Sequence, residues 1–151
     1  MKKWFALILA LSCLVFKQNG FAGPGEKEKG TPEAPKDAKS VAGDYYRGDG
    51  TGFNIYLTLN ENGEYAAKWR GCLGEYGTAS GTWKLVDKSI VLSPIKEAVS
   101  GQWDLRKLEV LKFKDGWILV QSNDRSFYDK YGVDRYSCFQ KSDKKKVDSK
   151  N

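Results

Sequence analysis

The chain has 151 residues, 29% of them charged and 13% aromatic, with a formal net charge of +6 and no histidine. The missing histidine removes Ser-His and Cys-His nucleophilic machinery and the usual zinc sites. Residues 41–140 carry 13 basic and 13 acidic side chains, so the positive excess sits at the chain ends, which argues against a nucleic-acid binder with a basic folded surface.

Met1-Lys2-Lys3 is a basic start, and Trp4 to Phe16 is an apolar run of 13 residues broken only by Ser12. Gly20-Phe21-Ala22 then offers small residues where a signal peptidase reads. The run is shorter than the roughly 20 residues that span a bilayer. Residues 1–22 are therefore expected to be a signal peptide, leaving a periplasmic or extracellular chain with no transmembrane segment. The alternative is lipoprotein processing at Cys13. In Ala10-Leu11-Ser12-Cys13 only Ser12 fits the usual box well.

Residues 23–40 hold three of the four prolines, balanced charges and no large apolar side chain. That composition predicts a disordered linker. Val41 to Arg47 reads as a first strand, and Arg47 to Gly52 as a glycine-rich turn. A phosphate cradle feeds a helix, whereas a strand follows here. A calcium loop needs more oxygen ligands than Asp49 and its neighbours provide. The Arg-Gly-Asp tripeptide at 47–49 carries no weight as an adhesion motif.

Gly52 to Gly74 is the most informative stretch. Phe53, Ile55, Leu57 and Leu59 alternate with polar neighbours, and Tyr65, Ala67, Trp69 and Gly71 share a face on the return. A two-residue turn at Asn62-Gly63 would pair Leu57 with Lys68. A three-residue loop with Gly63 in the left-handed region pairs Leu59 with Tyr65, Leu57 with Ala67 and Ile55 with Trp69. A one-residue slip reverses every side chain, so the apolar match selects the second closure.

Residues 74–81 read as a second flexible turn. Thr82 to Val86 and Ser89 to Leu92 form a hairpin across Asp87-Lys88, which Pro94 is expected to end. Residues 95–104 read as loop. Leu105 to Phe113 and Trp117 to Gln121 make a third hairpin. Asn123 to Tyr131 is the one plausible helix, with Ser122 or Asn123 as cap, Gly132 as stop, and Phe127 and Tyr131 on the docking side. Val133 to Gln140 is expected to be the last strand, and residues 141–151 a basic, disordered tail.

About seven to eight short strands in meander order predict an all-β, antiparallel up-and-down barrel with one short helix before the last strand. Cys72 and Cys138 remain after the signal is removed. In an exported chain they are expected to form a disulfide that closes a long loop, valued at about 4 kcal/mol.

Val41-Ala42-Gly43-Asp44-Tyr45 resembles the opening of lipocalin-like domains, where Gly-x-Trp or Gly-x-Tyr starts the first strand. Arg135 resembles the arginine that packs across that aromatic. Tyr45 replaces the usual tryptophan, so the resemblance is to the broad calycin-like class. Three further motifs, Tyr46 to Asn54, Trp69 to Tyr76 and Gly81 to Lys84, resemble an uncharacterised family of secreted bacterial lipocalin-like proteins. That resemblance implies a small β-barrel and no particular activity, so no catalytic residues carry over.

No enzyme is expected. Asp49 and Glu75, in glycine-rich turns, are the one carboxylate pair that could meet. The leading expectation is a monomeric binding module without cofactor or metal, its barrel holding a small apolar or amphipathic ligand. Phe53, Ile55, Leu57, Tyr65, Trp69 and Trp83 would line the cavity. The competing expectation is a protein-interaction module, such as a hydrolase inhibitor. It would act through turns 47–52 and 73–81 with Asp49, Arg70, Glu75 and Tyr76. An open interior marks the first; a filled interior with an exposed apolar patch marks the second.

Overall fold

The computed structural model describes residues 27–99 and 105–142. The expected signal peptide, the first residues of the linker, residues 100–104 and the tail beyond residue 142 lie outside the described residues. Eight antiparallel strands close a barrel in sequence order. They are β1 (Gly43–Gly48), β2 (Asn54–Leu59), β3 (Glu64–Gly71), β4 (Gly74–Val86), β5 (Ser89–Val99), β6 (Lys107–Phe113), β7 (Gly116–Gln121) and β8 (Phe139–Lys141). A short helix α1 (Ala38–Val41) precedes β1, and a 3-10 turn (Ser122–Asp124) leads into α2 (Arg125–Tyr131) before β8.

The central hairpin has the register its apolar alternation demands. Leu59 pairs with Tyr65, Leu57 with Ala67 and Ile55 with Trp69. Gly63 takes φ 84°, which a residue with a Cβ rarely adopts. The Gly63 carbonyl accepts from the Trp83 backbone N–H at 2.7 Å, and the Trp83 indole N–H donates to the Asn60 carbonyl at 2.9 Å. The turn is thereby fastened to β4.

Strand β4 begins at Gly74, so the flexible turn expected at 74–81 is its first half. Likewise Pro94 does not end β5. The strand runs through it to Val99, with a register shift opposite Ser80 and Gly81 that absorbs the proline. Proline is tolerated there because β5 joins β6 only at Ser89, Ile90 and Val91. The last strand is shorter than expected. Residues 133–138 form turns, and β8 closes the barrel through two register pairs on each side. Arg135 lies outside any strand, with its guanidinium over Tyr136. The cation over the buried Tyr45 ring is Lys141, at 6.0 Å.

Inward residues of all eight strands form one core, including Tyr45, Leu57, Leu59, Trp83, Leu108, Leu119 and Phe139. A second cluster, Leu111, Ile118, Val120, Tyr128 and Cys138, lies apart from it. It joins β6 and β7 to α2. Tyr128, 1% exposed, is the helix residue that docks; Phe127 stays 41% exposed and stacks on Tyr131.

Residues 27–36 were expected to lack structure and instead lie against this second cluster. Thr31 and Lys112 exchange backbone hydrogen bonds of 2.7 and 2.8 Å. The Gly30 N–H donates to the Tyr128 hydroxyl at 2.6 Å. A Cβ on Gly30 would meet the Lys112 carbonyl at 2.9 Å and the Leu111 Cβ at 3.0 Å. The reason is topological: β5 begins opposite Glu109, which leaves the edge of β6 beyond it for another extended segment. A polar strap suffices there because its bonds are made by the backbone.

Candidate functional site

The residues expected to line a cavity lie mostly in the packed core. Ile55, Leu57, Tyr65 and Trp83 are 6%, 1%, 2% and 3% exposed. Phe53 and Trp69 are partly buried and pack against the same core. The Tyr65 hydroxyl is the one buried side-chain polar atom without a hydrogen-bond partner among the described residues. Burial raises its pKa, and the nearby Arg106 opposes that rise.

An aromatic cluster marks the barrel end that carries the β1–β2 and β3–β4 turns. Phe53 meets Trp69 edge-on at 6.0 Å, and Trp69 meets Tyr76 at 5.9 Å. The Tyr76 ring lies directly over Gly71, leaving no room there for a Cβ, and the Gly52 carbonyl crowds the same point at 2.8 Å. These contacts brace the β3–β4 tip, which presents Leu73, 90% exposed.

Arg47, only 7% exposed, sits at this end. Its guanidinium donates to Asp124 at 2.6 Å and to the Tyr136 carbonyl at 2.9 Å, and it covers the rings of Phe53 and Phe139. Sequence reading missed this role. The signal was present only as a cation inside an otherwise alternating strand.

Of the four expected interaction residues, Arg70 and Glu75 are cross-strand partners at the β3–β4 tip and Tyr76 follows Glu75, while Asp49 lies in the β1–β2 turn at the same barrel end. Asp49 accepts the backbone N–H groups of Thr51, Gly52 and Phe53 at 2.8, 2.8 and 3.1 Å. These bonds hold its pKa down to about 2. The glycine-rich loop thus cradles an anion that belongs to itself. Glu75 pairs with Lys68 at 3.0 Å. Arg70 is exposed on β3, and Tyr76 covers Gly71. Each of the two carboxylates is committed to separate partners, which is no arrangement for paired acid-base chemistry.

The expected Cys72–Cys138 bridge is not formed. Cys72 is exposed in the β3–β4 turn, whereas Cys138 is fully buried in the second cluster. Burial raises the Cys138 pKa, and its thiol points at the Asp134 carbonyl at 3.5 Å. The turns of residues 133–138 place Cys138 in the cluster beneath α2, away from the β3–β4 turn that carries Cys72.

A groove of about 630 Å³ opens on the outer face of β2–β5. Outward residues of four strands line it: Tyr56, Thr58, Ala66, Lys68, Thr78, Ser80, Lys96 and Ala98. The side chains at its centre are small because alanine, serine and threonine occupy consecutive cross-strand positions. Tyr56, Thr58, Ala66 and Lys68 were legible as outward positions of the central hairpin. Thr78, Ser80, Lys96 and Ala98 were not, because residues 74–81 read as a turn and 95–104 as loop, and the β4–β5 register passes through a bulge.

No protein-family model matches the chain, and no curated protein or solved structure matches it. The chain's own surfaces therefore carry the functional argument. Among the described residues no group of three or more carboxylates and thiols could hold a metal ion. No helix among them is long and apolar enough to cross a membrane. What the chain offers is a packed barrel, a braced tip with one bare leucine, and a groove with small side chains at its centre.

Proposed function

We propose that this chain is an exported, non-enzymatic binding module that recognises its ligand on the outer face of β2–β5. The groove of about 630 Å³ carries this reading, set against an interior occupied by Leu57, Tyr65, Trp83 and their neighbours. A ligand inside the barrel would have to displace core side chains that are at most 9% exposed, and each large core side chain contributes about 2–3 kcal/mol. Export rests on the basic start and apolar run before residue 23. The lipocalin-like resemblance bears on the barrel's architecture rather than on where its ligand sits.

Amide chemical-shift mapping with a fragment library and with palmitate tests this reading. Shifts are expected at Ala66, Thr78, Ser80 and Lys96. Shifts confined to Leu57, Leu119 and Phe139 in the presence of palmitate would overturn it in favour of an interior carrier.

A protein partner at the β3–β4 tip is the second reading, favoured by the 90% exposure of Leu73 on a braced turn. Buried apolar anchors dominate such interfaces. Leu73→Asp would abolish that contact and leave groove binding unchanged.

A further inference from the structure

The groove runs across the strands rather than along them. One wall is the row Tyr56, Lys68, Thr78, Ala98; the other is Thr58, Ala66, Ser80, Lys96. Between them the backbone of Ala67, Ala79 and Glu97 forms the floor. The rows are two residues apart, about 7 Å, and cross three interstrand spacings, roughly 14 Å. That shape suits a flat, elongated molecule. The peptide groups of the floor are engaged in the strand ladders, so an extended peptide gains none of the backbone bonds of strand addition. Recognition falls to side chains.

Charge narrows the class. Lys68 is paired with Glu75 at 3.0 Å and Glu97 with Arg106 at 2.7 Å. Lys96 is the one cation of the lining outside an ion pair among the described residues. A polyanion needs several uncompensated cations along its length. What remains is hydroxyl and aromatic. Thr78 and Ser80 have no side-chain hydrogen bond among the described residues. Thr58 donates to Asp44 at 2.8 Å, which leaves its oxygen free to accept. Tyr56, packed against Tyr46 at 5.2 Å, sets an aromatic ring at the β2 end.

An aromatic face, alanines that admit close approach and a line of hydroxyls complement a molecule with apolar C–H faces and a hydroxyl rim. We infer that the groove binds a short, neutral oligosaccharide, with a sugar ring against Tyr56 and its hydroxyls on Thr58, Thr78, Ser80 and Lys96. The inference rests on the surface-binding reading above and names its ligand class.

The test uses the intact mature protein and five probes: cellotetraose, chitotetraose, maltotetraose, a heparin hexasaccharide and a mixed-sequence tetrapeptide. Calorimetry and amide mapping are read together. At least one neutral tetraose is expected to bind with shifts at Ala66, Thr78 and Ser80. Its affinity should be unchanged between 50 and 300 mM salt, about tenfold weaker in Tyr56→Ala, and lost in Ala66→Trp. Ala66 is exposed, so the tryptophan fills the groove without entering the core; unchanged melting temperatures confirm that both variants fold. Groove shifts with heparin or the peptide alone would overturn the neutral-oligosaccharide assignment while leaving the surface reading intact. No groove shifts with any probe would overturn both.

Discussion

The Arg47 guanidinium lies 2.6 Å from the Asp124 carboxylate, joining β1 to the turn that starts the only helical segment on the return path. The pair spans 77 residues of sequence. Arg47 is almost wholly enclosed and Asp124 is one-third exposed. The Arg47 side chain also holds the Tyr136 carbonyl just before β8. One residue of the first strand therefore organises the segment that closes the barrel.

Arg47→Leu is expected to destabilise the domain by about 2–4 kcal/mol, because it strands a partly buried carboxylate and a carbonyl. Asp124→Asn should cost less, since its partner keeps the Tyr136 carbonyl. Urea unfolding of both variants and the double variant gives the coupling. A Leu variant as stable as the original chain would show that the pair does not hold the closure.

Gly63→Val should lower stability by about 1–2 kcal/mol, because a β-branched residue is strained at positive φ. Gly63→Asn should be far milder, since asparagine tolerates that region. Space is not the cause: a Cβ there lies 3.7 Å from the nearest atom. Equal melting temperatures for the two variants would contradict the conformational explanation.

The strap over the second cluster predicts that a chain beginning at Val41 is less stable than one beginning at Lys27. Removing it uncovers Leu111, Ile118 and Tyr128, and the loss should be about 1–3 kcal/mol. Gly30→Val should reproduce part of it by pushing the strap off Lys112. Hydrogen exchange at the Lys112 amide, which donates to Thr31 at 2.8 Å, reports the contact directly. Unprotected exchange there in the longer chain would rule the strap out.

The Asp49 carboxyl should titrate near 2 rather than at its ordinary 3.8, read from its side-chain carbonyl resonance. The folded value is the depressed one. The loop's contribution to stability is thus complete above about pH 4 and lost as the pH falls through 2. Asp49→Asn should remove this acid sensitivity and increase exchange at Thr51 and Gly52. A titration at the ordinary value would mean the three backbone bonds are not made.

Two free thiols in different surroundings predict staged labelling. Cys72 should react with maleimide in the native protein, and Cys138 only after unfolding, because burial suppresses its thiolate. Native and denatured protein that both resist labelling until reduced would restore the disulfide.

Much of the barrel was legible without coordinates, and the reason is local. Alternation from Phe53 to Leu59 and from Tyr65 to Gly71 can bury only one face, and Glu61-Asn62-Gly63 permits one turn that matches those faces. The hairpins around Asp87-Lys88 and Lys114-Asp115 follow the same logic, as does the helix stop at Gly132. Meander order then leaves an up-and-down barrel as the compact arrangement. Tertiary structure alone decided the features that depend on distant strands. Composition marked residues 27–36 as unstructured, yet the Gly30 N–H finds Tyr128 98 residues away, because the register of β5 leaves β6 with an open edge. Cysteine counting in a chain expected to be exported argued for a bridge, yet the turns before β8 buried one thiol and the β3–β4 turn exposed the other. The six inward aromatic and aliphatic residues read equally well as cavity lining or as core. Alternation specifies which way a side chain points and not what fills the space it points into, so only closure of the barrel could place four of them in the core with Phe53 and Trp69 packed against it, and leave the groove outside.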